Sequence, residues 1–165
     1  PVPQAAAAAT AKDQLKVGYL NMAKIAAESK GGKAAAAALK AKSGKLRTKI
    51  EAKQKQIEKQ KSAIEAKLEG MSAKERAEKS KEFQKKMEEY QKLVRSSEEE
   101  MQQMQDKLTS DLYKVIKKAA ADYAKAHGYA VIVEEKAILY SADSVNPKDL
   151  TEEIAASLVE KQPAK

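Results

Sequence analysis

YAVIVEEKAILYSA, residues 129–142, is the stretch on which the fold turns. Val131, Ile132 and Val133 precede a charged Glu-Glu-Lys, and Ile138, Leu139 and Tyr140 follow it; such β-branched and aromatic residues pack well on a pleated surface. Because successive residues are apolar, a strand made of them is apolar on both faces and needs cover on both. The pattern predicts a β-hairpin, although its turn lacks the glycine that short hairpin turns favour. Far upstream, LKVGYLNM (15–22) reads as another strand, in which Leu15, Val17 and Tyr19 alternate with Lys16, Gly18 and Leu20 and Asn21 is placed to close it.

Between these two regions the chain is helix-prone. Asp, Glu, Lys and Arg make up 34% of the 165 residues, against six Gly, four Pro, one Phe and no Trp. That mixture offers few bulky groups for a thick core and suits long helices packed against a single neighbour. Residues 23–29 read as a short helical turn interrupted by Gly31 and Gly32, and a long helix is expected from Lys33 to Glu69. Its stripe is Leu39, Leu46, Ile50, Ile57, Ile64, Leu68 and Met71, with Lys53, Gln60 and Lys67 in the second seam position. In GMSAKE (70–75), Gly70 suits a left-handed helix stop and Ser72 with Glu75 makes a capping-box pattern, so the chain is expected to reverse. The return helix, 73–126, repeats Phe83, Met87, Tyr90, Val94, Ser97, Met101, Met104, Leu108, Asp111 and Val115 at spacings of four and three, which predicts an antiparallel partner. Lys125, His127 and Gly128 then form a stop. A last helix is expected in DLTEEIAASLVEK from Asp149, capped by Asp149 or Thr151, with Ile154, Leu158 and Val159 facing inward.

The domain reading follows. Residues 1–13 form a flexible N-terminal lead, 14–32 and 113–162 a β-rich oligomerisation body, and 33–112 a helical hairpin arm with its tip near 70–73. Three short strands with open edges are marginal alone at this size, so the missing cover is expected to come from other copies of the body. Val17, Tyr19, Leu20, Val131, Ile132, Val133, Ile138, Leu139 and Tyr140 are the expected oligomerisation residues.

The formal net charge is +8, and residues 30–92 alone hold 19 Lys or Arg against nine Asp or Glu. A basic surface attracts anionic polymers, anionic membrane lipid or acidic protein segments without selecting among them. Nucleic acid is not expected as a partner, because the lysines are interleaved with Glu and no aromatic stacking platform is visible. A basic nucleic-acid-binding coiled coil and a structural spacer or scaffold are the alternatives in other classes. No cysteine is present, so disulfides and thiolate metal sites are excluded. His127, the single histidine, reads as a cap or surface residue, and Glu98, Glu99 and Glu100 point to different helical faces; no catalytic constellation, metal site or cofactor is expected. No 18-residue apolar run exists, and PVPQAAAAATAKDQ lacks the basic start and Leu-rich core of an export signal, as a mature secreted form also would.

VGYLNMAKI, the small residues of ESKGGKAA, the long charged hairpin and above all YAVIVEEKAILYSADSVNPKDLTEEI resemble the Skp/OmpH family of bacterial periplasmic chaperones over about residues 15–160. The resemblance implies an α+β fold: a small β-rich trimerisation body with a long protruding antiparallel α-helical coiled-coil hairpin, three of which surround a cavity. It implies a periplasmic location after removal of a signal peptide. It also implies an ATP-independent holdase that keeps unfolded outer-membrane β-barrel proteins from aggregating before insertion, with soluble periplasmic proteins as further clients. Lipopolysaccharide binding through basic residues is a further implication, with no site placed on this chain.

A holdase for varied clients needs sparse, adaptable apolar points rather than one shaped pocket. Ile57, Ile64, Leu68, Met71, Phe83, Met87, Met101 and Met104 are the candidate client-binding residues, although at this spacing they first serve the seam between the helices. Lys53, Lys55, Lys59, Lys61, Lys67, Lys74, Arg76, Lys79, Lys81, Lys85 and Lys86 form the electrostatic surface of the same region.

Overall fold

The computed structural model describes residues 15–160; the lead expected over 1–13, residues 14, 161 and 162 of the expected body, and the side chain of Val159 lie outside that description. The elements are β1 (Val17–Leu20), α1 (Met22–Glu28), α2 (Lys30–Lys67), α3 (Ala73–His127), β2 (Val131–Glu134), β3 (Lys148–Asp149) and α4 (Thr151–Glu160). They divide into two compact units: Ala34–Ser110, and the flanking described residues on both sides.

In the flanking unit the expected hairpin is replaced by a parallel sheet of order β2-β1-β3. β1 is central, pairing Val17 with Val131 and Tyr19 with Val133 on one side, and Gly18 with Lys148 and Tyr19 with Asp149 on the other. The reason lies in Glu-Glu-Lys: a tight hairpin turn needs residues at positive φ, and among the described non-glycine residues only Asn146 has one. Residues Glu135–Ala137 instead make a 3-10 turn that carries Ile138, Leu139 and Tyr140 off the sheet. The two glutamates act elsewhere, Glu134 Oε2 accepting from Met22 N at 2.9 Å and Glu135 Oε2 from Asn21 Nδ2 at 2.8 Å. Asn21 caps α1 by accepting from Lys24 N.

The break between α1 and α2 falls at Ser29, not at the glycines, which lie in the first turn of α2. Ser29 N donates to Ile25 O, ending α1, while Ser29 Oγ accepts from Gly32 N at 3.0 Å, capping α2. Leu20, Ile25, Ile116, Ala119, Leu150 and Ile154 form the core of this unit, with Leu112, Tyr123, Ile132 and Leu158 packed against it. The buried face of α3 here is Leu112, Ile116, Ala119 and Tyr123, one residue out of step with the 4-3 repeat that led to Asp111 and Val115; Val115 is exposed. α3 stops at Gly128, whose φ of 70° is left-handed, with Tyr129 N donating to Ala124 O. Lys16 Nζ donates to His127 O at 2.9 Å and lies 4.8 Å from the centre of the Tyr129 ring, binding β1 to the end of α3.

The start of α4 is fixed by a carboxylate. Asp149 Oδ1 accepts from Thr151 Oγ1 at 2.6 Å and from Thr151 N at 3.0 Å, while Thr151 Oγ1 accepts from Asn21 N. These bonds, the hydroxyl's before the amide's, hold the Asp149 carboxyl below its usual range. A depressed carboxylate contributes stability above its unfolded pKa, and that contribution is lost as pH falls through the folded value. Urea midpoints measured from pH ~7 down to ~3 should therefore fall steeply only below about pH 4, and Asp149→Asn should flatten that acid limb. An unchanged slope in the variant would remove Asp149 from the account.

Candidate functional site

In the unit Ala34–Ser110 the two long helices pair. Lys42 bonds Glu100, and Lys53 Nζ lies 3.0 Å from Glu89 Oε2. Moving eleven residues forward on α2 corresponds to eleven backward on α3, which fixes an antiparallel register. The reversal uses a 3-10 turn at Leu68–Gly70, with Met71 N donating to Leu68 O; Gly70 is not left-handed, contrary to the expected stop. The capping box forms as its pattern predicts: Ser72 N donates to Glu75 Oε2 at 2.8 Å and Glu75 N to Ser72 Oγ at 3.2 Å. The bond from the Ser72 amide is the main reason the Glu75 carboxyl lies below its usual value.

Ile57 is buried, Ile64, Met71, Phe83, Met87, Met101 and Met104 are half-buried, and Leu68 is exposed. For all of these but Leu68 the first task is thus packing within the unit, and only their outer edges are open to a ligand. Lys53 is half-buried in its pair with Glu89, whose carboxyl is lowered by the Lys53 hydrogen bond and charge, then by the fields of Lys85 and Lys86. Lys61 pairs with Glu65 and Lys79 with Glu82, both along one helix. Lys55, Lys59, Lys67, Lys74, Arg76, Lys81, Lys85 and Lys86 are exposed. Exposed pairs of this kind contribute about 0–1 kcal/mol each, so the basic surface acts as a diffuse field rather than a binding pocket.

The helical repeats predict no groove, yet one opens between α2 and α3. It has a volume of about 650 Å³ and is lined by Leu46, Ile50, Val94, Met101 and the buried Ser97, with Arg47, Glu51, Glu98, Gln102 and Gln105 at its edges. Ser97 Oγ and Gln60 Oε1 are the buried side-chain oxygens without a hydrogen-bond partner among the described residues. The visible signal was Ser97 itself, which with Asp111 is one of two polar residues in the α3 repeat.

On the sheet unit, Leu20 belongs to the chain's own core, Ile132 packs against that core, and Val17, Tyr19, Val133 and Ile138 are half-buried. Val131 is 43% exposed, Leu139 96% and Tyr140 84%. His127 is exposed and stacks on Tyr123 with ring centres 4.1 Å apart. Among the described residues no group of His, Cys, Asp and Glu is placed to hold a metal ion, and no helix is long and apolar enough to cross a membrane.

Comparison with known proteins places these features in a family. The family model described as "Outer membrane protein (OmpH-like)" matches residues 16–158. The crystal structure of an OmpH-like outer membrane chaperone from Caulobacter crescentus CB15 superposes with a TM-score of 0.80 at 17% identity, covering 90% of this chain and 86% of that one, which is a likeness of fold. A comparison with curated proteins returned no match. With the family model spanning nearly the whole described chain, the protein belongs to the OmpH-like family, the Skp/OmpH periplasmic chaperones, which are not enzymes.

Proposed function

We propose that the protein is an ATP-independent holdase that binds unfolded outer-membrane β-barrel proteins in the space between the arms of a homotrimer and prevents their aggregation before membrane insertion. Membership of the chaperone family over residues 16–158 carries this reading. Two physical features support it. Leu139, Tyr140 and Val131 leave an apolar surface beside an open-edged sheet, which one chain does not cover and further copies would. The paired helices present half-buried methionines and exposed lysines rather than a shaped pocket, so contacts with a client are many, weak and exchangeable. Release then needs no nucleotide, because folding into the bilayer buries more of the client's apolar surface than the chaperone covers. Soluble periplasmic clients fit the same mechanism, and the lysine-rich surface is the part suited to anionic lipid or lipopolysaccharide.

The test is to dilute an outer-membrane β-barrel from denaturant and follow light scattering. Suppression is expected at about one trimer per client, with no effect of added ATP; unabated scattering at a molar excess of trimer would sink the proposal. Deleting residues 50–96 removes the turn together with the outer part of both long helices and keeps the Lys42–Glu100 pair. Sedimentation should show the shortened chain still self-associated, while its protection of the client falls several-fold. A monomeric product would mean that assembly and client binding are not separate.

A further inference from the structure

The side chain on α3 most buried between the two long helices is a serine. Ser97 is 5% exposed, and its hydroxyl has no hydrogen-bond partner among the described residues. Leaving a buried hydroxyl unpaired costs about 1–3 kcal/mol, and its position beside the 650 Å³ groove gives that cost a use. Aliphatic walls (Leu46, Ile50 and Val94) adjoin one polar atom that lacks a donor or acceptor. A ligand that satisfies both must present an apolar side chain next to a free polar group. An unfolded backbone does so at every second residue of an alternating apolar and polar segment.

The charge at the groove argues for a peptide over a lipid. Among the described lining residues Arg47 is the one cation, set against Glu51 and Glu98, so the groove is locally acidic within a chain of net charge +8. An anionic headgroup is repelled there, whereas a neutral peptide flanked by a basic residue is accepted. The α3 side of the groove runs from Val94 to Gln105, about 16 Å at the helical rise, which matches about five residues of extended chain. Met101, one helical turn beyond Ser97, is the lining side chain with the torsional freedom to move and uncover the hydroxyl.

We infer that this groove is a docking site for about five residues of an extended, unfolded client segment of alternating apolar and polar residues, whose apolar side chain enters between Leu46 and Val94 and whose backbone amide donates to Ser97 Oγ. The inference rests on the holdase reading and places one client contact within a single helical pair rather than between arms.

Methyl NMR of the full chain labelled at its five methionines reads this site. Titration with a ten-residue peptide of alternating leucine and serine, lysine at each end, should shift Met101 and leave Met22 in place. Ser97→Leu removes the hydroxyl and puts an apolar side chain in its place against Leu46 and Val94: it should raise the melting temperature, abolish the Met101 shift and weaken peptide binding about tenfold. Ser97→Ala keeps the volume and removes the hydroxyl, and should weaken binding about threefold to fivefold; N-methylating alternate peptide amides should produce a similar loss with the wild-type protein. Four results would overturn the inference: Met101 unmoved at saturation, equal affinity in both variants, a Met101 shift with a monomeric lysophospholipid but none with peptide, or a shift that follows protein concentration without peptide. The light-scattering assay separates the two levels. A wild-type protein that fails to protect a β-barrel client ends the holdase reading, whereas equal protection and equal peptide binding by wild type and Ser97→Leu end only the groove.

Discussion

Gly32→Ala should destabilise the protein by at least about 3 kcal/mol and lower its melting temperature by roughly 10 °C. Helix propensity alone argues the opposite, since alanine inside a helix is favoured over glycine by about 1 kcal/mol. The difference is contact. A Cβ at position 32 would lie 1.4 Å from the carbonyl oxygen of Ala26 and 2.5 Å from its carbon. Both are backbone atoms, so no rotamer change relieves the clash. Either α1 must move off α2 or the first turn of α2 must unwind, and with it the bond from Gly32 N to Ser29 Oγ. Gly44 is the internal control: a methyl group added there would meet nothing within 4 Å, and Gly44→Ala should stabilise by about 0.5–1 kcal/mol. Thermal unfolding by circular dichroism compares the two directly. Shifts of the same sign would mean that propensity, not the Ser29 corner, governs position 32.

The second large effect is expected from Leu150→Ala, at about 2–5 kcal/mol. Leu150 is completely buried, its amide donates to Tyr19 O at 2.8 Å, and its side chain fills the space above Gly18, where a Cβ would meet Leu150 Cδ1 at 2.4 Å. Few large side chains share this core, so the loss of one opens a cavity that its neighbours cannot close. Gly18→Ala should destabilise too, for the opposite reason of overpacking. Combined, the two changes should cost less than their separate effects added together, because the new methyl enters the space the leucine leaves. Strict additivity in chemical denaturation would show that residues 18 and 150 do not share that space. In the proposed assembly, loss of this core would also loosen the strands on which self-association depends.

Much of the architecture was legible because local chemistry and tertiary structure agree. The Ser72–Glu75 box, the left-handed Gly128 and the buried Ile154 each form where their patterns place them. The misreadings share a cause: a local signal answered to a distant partner. Gly31 and Gly32 look like a helix break, but Gly32 is small because α1 passes against it, and the break is at Ser29. Glu-Glu-Lys looks like a hairpin turn, but its two carboxylates bond the start of α1, more than 110 positions away in sequence. Val115 continues a repeat whose partner ends near Asp111, after which α3 meets a different core and buries Ile116. The candidate client contacts were identifiable as a stripe, whereas the groove depends on the register between the helices, which no single helix encodes.

The parallel pairing of Val17 with Val131 has a kinetic implication. The central strand emerges first from a ribosome or a translocation pore, yet both of its neighbours lie beyond the second long helix. The helical pair, joined by a short turn, closes cheaply and early, while the sheet must wait for nearly the whole chain and bear a large loop-closure entropy. During export β1 therefore stays without its sheet partners for most of the passage, open to pairing with other chains.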